Sequence, residues 1–413
     1  LELGVNAATA ALALAVAGAA VLLGPITPAG AAYSDPLTSL SAASYGLVWH
    51  ATPAAAISAL DAALPNVGVS TVLASANHTM PACTGDAEGS LPIAPAATAS
   101  LCWDTGDEAS TTWTPQGLTT SGDADDDGAW GANKVILSGW HYAPDDSRYD
   151  DARVAFVDAN DLSAADYRWV YLVAPNSTGS TFTAAKAHLG GMVWYGDKLL
   201  VSAVGNTSVA IRVFSMSHIL RMTDTSATIG RTGSGYAAYG YQYAMVQVGY
   251  YGYAGGTCDM GSDTAVPCFS SLSLDRSTSP DSLVTTEYFS DAGLSGRLIR
   301  YPFGADYLLR TSSTSVTASA AYRSGVGNMQ GVLSWNGVWY VAHSSATYHG
   351  QLWRQTTAGS TAATCATPDT SATMCWAMHP EGLTYWPSTG LVWSQSEWPG
   401  LRALFAVPLT AFP

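Results

Sequence analysis

Charge is what this 413-residue chain has least of: Asp, Glu, Lys and Arg together make up 11% of it, against roughly 25% in an ordinary globular chain. Lysine is nearly absent, since only Lys134, Lys186 and Lys198 stand among 16 basic residues. With 31 acidic residues the net charge is −15. A surface of that sign repels phosphate backbones, which excludes nucleic acid as a partner. Long charged helices are excluded too, because Gly, Ala, Ser and Thr fill the places such helices would need. The usual signatures of catalysis are also missing. The chain has no Gly-x-Ser-x-Gly elbow, no His-Glu-x-x-His and no phosphate-cradling glycine loop.

Long apolar runs are confined to one place. From Ala7 to Leu23 the chain is almost continuously apolar, and Gly24-Pro25 and then Ala29-Gly30-Ala31-Ala32 follow. This reads as a signal peptide over residues 1 to 32 with a small-residue cleavage site. The run is short for a membrane span, which needs about 20 apolar residues. The expectation is a secreted, extracellular chain beginning near Ala32 or Tyr33, with no membrane association after cleavage.

The six cysteines fall as three close pairs, Cys83 with Cys102, Cys258 with Cys268, and Cys365 with Cys375. Pairing of neighbours closes three small loops without long-range geometry, and none of the pairs shows the tight C-x-x-C spacing of a zinc cluster. Three local disulfides are expected, in keeping with an oxidising compartment.

Residues 33 to 112 are rich in Ala, Ser and Pro and carry one helix pattern, Ala54 to Leu64, with Pro53 at its start. They read as an N-terminal extension packed on a main domain over 113 to 413. From Trp113 onward short strands alternate with Gly, Asp, Asn and Ser turns, the signal of an all-β domain. Four segments share a phrase: Thr-Pro-Gln-Gly-Leu-Thr (114 to 119), His-Leu-Gly-Gly-Met-Val-Trp (188 to 194), Asn-Met-Gln-Gly-Val-Leu-Ser-Trp (328 to 335) and His-Pro-Glu-Gly-Leu-Thr-Tyr-Trp (379 to 386). The last three each lead through a Gly-containing turn into a second strand, as hairpins do. Third strands follow at Ala210 to Ser215, Gly350 to Arg354 and Ala403 to Pro408, and the first unit continues through Lys134 to Trp140, Arg153 to Asp158 and Trp169 to Val173. A further unit without the phrase reads at Phe269 to Asp275, Ser282 to Tyr288 and Arg297 to Phe303. Such a recurrence, roughly every 40 to 80 residues, predicts a β-propeller of about five blades, with four to six compatible.

The phrases Pro-Glu-Gly-Leu-Thr-Tyr-Trp and His-Leu-Gly-Gly-Met-Val-Trp-Tyr-Gly-Asp-Lys-Leu-Leu-Val resemble the blades of gluconolactonase-like and NHL-like propellers. They also resemble those of secreted actinobacterial propellers of unknown function. The resemblance spans about residues 113 to 413 as a repeating pattern. It implies that the first strand of each blade lines a central channel, which gathers Thr114, Gln116, His188, Asn328, Gln330, His379 and Glu381 at one mouth. In the gluconolactonase type a Glu before Gly on an inner strand ligates a divalent cation with Asn and Asp, and Glu381-Gly382 is similar to that position. The aligned positions hold Gln116, Gly190 and Gln330, so a full set of carboxylates is not evident, Asp275 aside.

A second cation candidate is Asp123-Ala-Asp125-Asp126-Asp127-Gly128, which fits the start of a calcium loop with Asp123, Asp125 and Asp127 as ligands. Its twelfth position is Lys134, where a Glu is expected. Calcium is the one cofactor the sequence suggests. The tyrosine run Tyr236 to Tyr253 offers ring faces suited to sugars or, equally, to packing. Asp145-Asp146 and Asp150-Asp151 read as turn surface. Two functions stand side by side. One is an extracellular binding protein for a small molecule, a carbohydrate or a protein, acting as a monomer through its channel mouth. The other is a secreted lactonase, esterase or glycosidase with its site in the channel. Two or three carboxylates on the rim would favour catalysis and a single Glu among amides would favour binding.

Overall fold

The computed structural model describes residues 35–203, 208–289 and 294–413. The expected signal peptide lies outside them. The described chain is all-β with short helices, as the alternation of brief apolar runs and turns predicts. Ala54–Ala63 forms the expected helix, entered from Pro53.

The repeated phrase opens a run of antiparallel strands each time. The first unit is Trp113–Thr120, Val135–Tyr142, Ala152–Asp158 and Asp166–Pro175. The second is Met192–Tyr195, Lys198–Ser202, Val209–Arg221 and Tyr243–Tyr253. The third, which lacks the phrase, is Phe269–Asp275, Ser282–Glu287, Arg297–Pro302 and Ala320–Arg323. The fourth is Met329–Trp335, Val338–His343, Gln351–Thr356 and Gly359–Ala362. The fifth is Pro380–Trp386, Leu391–Ser396 and Ala403–Pro408, completed by Ala99–Cys102 from the N-terminal segment. The first two units join into one sheet because their outer strands pair in parallel, Tyr243 opposite Val170 and Val246 opposite Val173. The first strand of each unit packs on that of the next, and the fifth packs back on the first. The arrangement is propeller-like.

The segment read as an extension is woven into the outer edges. Thr38–Ser39 pairs with Ala320–Arg323, Leu47–Ala51 with Tyr243–Tyr253, and His78–Thr79 with Asp166–Pro175. The N-terminal residues thereby cover strand edges that would otherwise invite association. All three disulfides form as the spacing predicts, and Cys83–Cys102 lies at the strand that completes the fifth unit.

The glycines of the phrase explain why it recurs. At Gly191 a Cβ would lie 1.9 Å from the backbone nitrogen of Leu272 on the next inner strand. At Gly382, with φ +46, it would meet the Leu118 side chain at 2.7 Å. Inner strands therefore approach as closely as backbone allows, and only a residue without a side chain fits. The third unit has serine where the others have glycine, and Ser271 Oγ accepts a hydrogen bond from Val332 N of the fourth unit at 3.2 Å. Between units the core is aromatic. Trp103 and Trp140 meet edge to face at 4.9 Å, both fully buried, and the Arg153 guanidinium lies 3.5 Å over Trp169.

Candidate functional site

Four of the five inner strands break register near their start, three of them at the phrase. The ladder skips between Pro115 and Leu118, between Phe269 and Ser271, between Met329 and Gly331, and between Glu381 and Thr384. A bulge re-aims the side chain it carries. Gln116, Ser270 and Gln330, the residues at three of these bulges, line one cavity of about 350 Å³ together with Gly190 of the second unit. The polar residue that opens the phrase has a backbone task as well. Asn328 and His379 both take left-handed φ, +46 and +43, where the chain turns into its inner strand.

Tyr149, His188, Met260, Cys268, Tyr288 and Glu397 complete the cavity wall. Of the residues the sequence gathers at the mouth, Gln116, His188 and Gln330 therefore come together. Asn328, His379 and Glu381 stand outside the wall. His379 stacks flat on Trp398, centroids 3.9 Å apart, and Trp398 is 47% exposed. Asn328 Oδ1 is buried with no hydrogen-bond partner.

Glu381 is fully buried and neither carboxylate oxygen has a hydrogen-bond partner. Burial drives its pKa well above the ordinary carboxylate range, and the neighbouring Glu397 adds to the shift. Glu397 is the carboxylate that sequence reasoning missed. It lies just past the second strand of the fifth unit rather than on an inner strand, and Gln116 Nε2 donates to it at 2.9 Å. Its own pKa is raised by burial, against the lowering influence of His188 and Arg402. Asp275, the other carboxylate considered, is neutralised by Arg300 at 2.8 Å. Among the described residues Glu381 belongs to no group of three or more metal-ligating side chains. The donor set of a cation-dependent lactonase is thus not assembled around it, and no chemistry is routed through a metal there.

The calcium loop is a correction. Asp123 turns inward and is buried, with Thr119 and Thr384 hydroxyls donating to its Oδ2 at 2.6 and 2.8 Å. Asp125 and Asp127 stay outside and cap local backbone amides, those of Asp127 and Ala129. A buried carboxylate held by two hydroxyls does not share an ion with two exposed ones. Burial raises Asp123 to about 6, the hydroxyls opposing. The folded state therefore holds more protons than the unfolded state between the ordinary value of 3.8 and about 6. Stability falls as pH rises through that window, and the cost is fully present above it. Asp123→Asn keeps an acceptor for both hydroxyls. It is expected to raise the unfolding free energy by on the order of 1–3 kcal/mol well above pH 6 and to have little effect below the window. Urea titrations at the two pH extremes check this, and equal effects at both would refute it.

The acidic pair Asp150-Asp151 is a second correction, since both residues are buried rather than on a turn surface. Asp151 accepts from Lys186 Nζ at 2.5 Å, Tyr171 Oη at 2.5 Å and Arg148 Nε at 3.0 Å. Asp150, with φ +59, brings one oxygen to two imidazoles: its Oδ1 lies 3.0 Å from His141 Nδ1 and 3.2 Å from His188 Nδ1. Burial would raise Asp150, but the bonds to His141 and His188 outweigh it and its pKa lies below the ordinary value. Burial and the proximity of His188 lower His141 to about 4. The tyrosine run meanwhile serves packing. Tyr243 and Tyr251 are buried in strands, Tyr241 stacks on Tyr171, and Tyr239 lies under the Arg148 guanidinium at 3.4 Å.

No protein-family model matches the chain, and no curated protein matches it in sequence. Among solved structures it is similar to propeller-type proteins. One is a GH43_1 enzyme from Xanthomonas citri complexed with xylotriose, at a TM-score of 0.33 and 8% identity over 86% of this chain and 93% of that one. Another is a chain of a mitotic checkpoint complex, at 0.31 and 9% over 79% and 95%. At such TM-scores neither comparison bears on what the site does. No described helix is long and apolar enough to cross a membrane.

Proposed function

We propose that this chain is a secreted five-bladed propeller that binds a neutral polyhydroxylated ligand, a carbohydrate, at its channel mouth. The cavity wall carries the reading. It presents the amides of Gln116 and Gln330, the imidazole of His188 and one carboxyl group, beside the rings of Tyr149 and Tyr288. Amides both donate and accept, as sugar hydroxyls require, and ring faces suit the apolar faces of a pyranose. Among the described residues no Lys or Arg lines the wall, which disfavours anionic ligands. Tyr149 of the wall and Trp398, the residue after Glu397, are 41% and 47% exposed, which leaves ring faces available to a ligand. A volume of about 350 Å³ is at the small end of ligand pockets, which suits one or two sugar residues. Disulfides and an acidic surface fit an extracellular setting.

Titration calorimetry against neutral oligosaccharides chosen from a glycan array tests this. Trp398→Ala and Gln330→Ala are each expected to weaken binding about tenfold, with the fold intact by circular dichroism. Absence of any glycan ligand, or unchanged affinity in both variants, would reject the reading.

A second reading, glycoside hydrolysis, is favoured by one observation: Glu397 on the cavity wall is raised while Asp150, bonded to the wall residue His188, is lowered. Environments that push two carboxyl groups apart supply an acid and a base. Glu397 would then be the proton donor, and Glu397→Gln would abolish turnover of any glycoside the protein binds while leaving its affinity within a few fold.

A further inference from the structure

We propose that His141, Asp150 and His188 form a binding site for a divalent first-row transition ion such as zinc, opening on the same cavity. The ion is independent of the identity of the organic ligand, and the inference does not rest on the carbohydrate reading.

Three segments bring the donors together. His141 lies near the end of the second strand of the first unit, Asp150 on the turn into the third, and His188 at the phrase that opens the second unit. Their ligand atoms all lie within 4.8 Å of one another. The two Nδ1 atoms stand 3.0 and 3.2 Å from Asp150 Oδ1, and the imidazoles pack with centroids 3.9 Å apart. Ligands bonded to one ion at about 2.0–2.1 Å are about 3.0–3.4 Å from each other, so these separations fit edges of a coordination polyhedron. Two imidazoles and a carboxylate suit zinc or its neighbours rather than calcium or magnesium, which favour all-oxygen sets.

The donors are held in place before any ion arrives. Asp150 N donates to Tyr142 O at 3.0 Å, and Ala187 N donates to Asp150 O at 2.8 Å, which ties the turn to the His188 segment. Next to it, Asp151 and Lys186 make the same tie through side chains at 2.5 Å. Such supports orient ligands. His141 and Asp150 are buried, whereas the His188 side chain is 26% exposed and lines the cavity. Three protein ligands with a side open to a cavity is the pattern of a site that keeps a position for water or a ligand oxygen. The other convergent group, His78, Asp104 and Asp107, differs. Asp107 is already engaged by Arg153 at 2.7 Å, Tyr167 at 2.6 Å and Trp169 at 3.1 Å, leaving little for an ion.

The alternative is that Asp150 accepts hydrogen bonds from two protonated Nδ1 atoms and binds nothing. Calorimetry with zinc chloride on the EDTA-dialysed mature chain separates the two, supported by the visible absorption of the cobalt form. One equivalent of zinc is expected to bind with micromolar or tighter affinity. His188→Gln, at a partly exposed position, and Asp150→Asn are each expected to weaken it by about 100-fold or more, while His78→Ala leaves it unchanged. Should Asp150→Asn fail to fold, His188→Gln alone carries the test. Absence of saturable binding, or binding equal in wild type and His188→Gln, would overturn the proposal. Loss of zinc affinity in His78→Ala with none in His188→Gln would overturn it in favour of the second cluster.

Discussion

Arg297→Met is expected to lower the unfolding free energy by about 3–5 kcal/mol in urea titrations. Arg297 and Glu287 are both almost fully buried, joined through Nε at 2.5 Å and Nη2 at 2.6 Å. Taking away the guanidinium leaves a carboxylate in the interior without compensation. The same guanidinium donates to Ala265 O at 2.5 Å, inside the loop closed by Cys258–Cys268. That loop contributes Met260 and Cys268 to the cavity wall, so the ion pair also holds one side of the mouth. The double variant Arg297→Met/Glu287→Leu should recover most of the loss, because the stranded charge is gone. A deficit of about 1–2 kcal/mol should remain, since Glu287 also accepts from the Arg297 backbone N–H at 3.0 Å. A single-variant loss below about 1 kcal/mol would show that the pair is as weak as a surface one.

Gly191→Ala is expected to cost about 3 kcal/mol or more, or to prevent folding. The added methyl would lie 1.9 Å from Leu272 N and 2.5 Å from Ser271 C. Those are backbone atoms of the neighbouring inner strand, which has no rotamer to yield. Gly337→Ala supplies a contrast, since the structure shows open space there and the cost arises only from φ +76. Its expected loss is about 1–2 kcal/mol. If thermal melts placed Gly191→Ala above Gly337→Ala in stability, the close approach of the inner strands would be wrong.

The repeat phrase was legible because close approach between strands tolerates one residue type, and a restriction that strict left its mark in four of the five units. The third unit carried no such mark. There Ser271 takes over with a hydroxyl that accepts Val332 N–H, a solution several polar residues share with ordinary turns. Gln116, His188 and Gln330 were found at the mouth because they travel with the phrase. Glu397 and Asp150 were missed because neither does. Glu397 follows a second strand, and Asp150 sits in an acidic run whose composition matches a solvated turn. The calcium loop misled for the related reason that spacing alone does not say which way a side chain faces. Asp123 faces Thr119 and Thr384, and its two companions face water.

Local spacing settled the disulfide pairs, the hairpins and the order of the strands, since each depends on residues close in the chain and on backbone rules that hold anywhere. Which side chains meet was decided only by tertiary structure. Asp150 and His188 are 38 residues apart, and Gln116 and Glu397 are 281 apart. They converge because the inner strands pack on one another in a ring, four of the five carrying a bulge, so the contents of the channel mouth follow from how the units assemble and from the loops between them. The acidity was written in the sequence; burial in the fold is what raises Glu381 and Glu397 and lowers His141, and the two imidazoles are what hold Asp150 low.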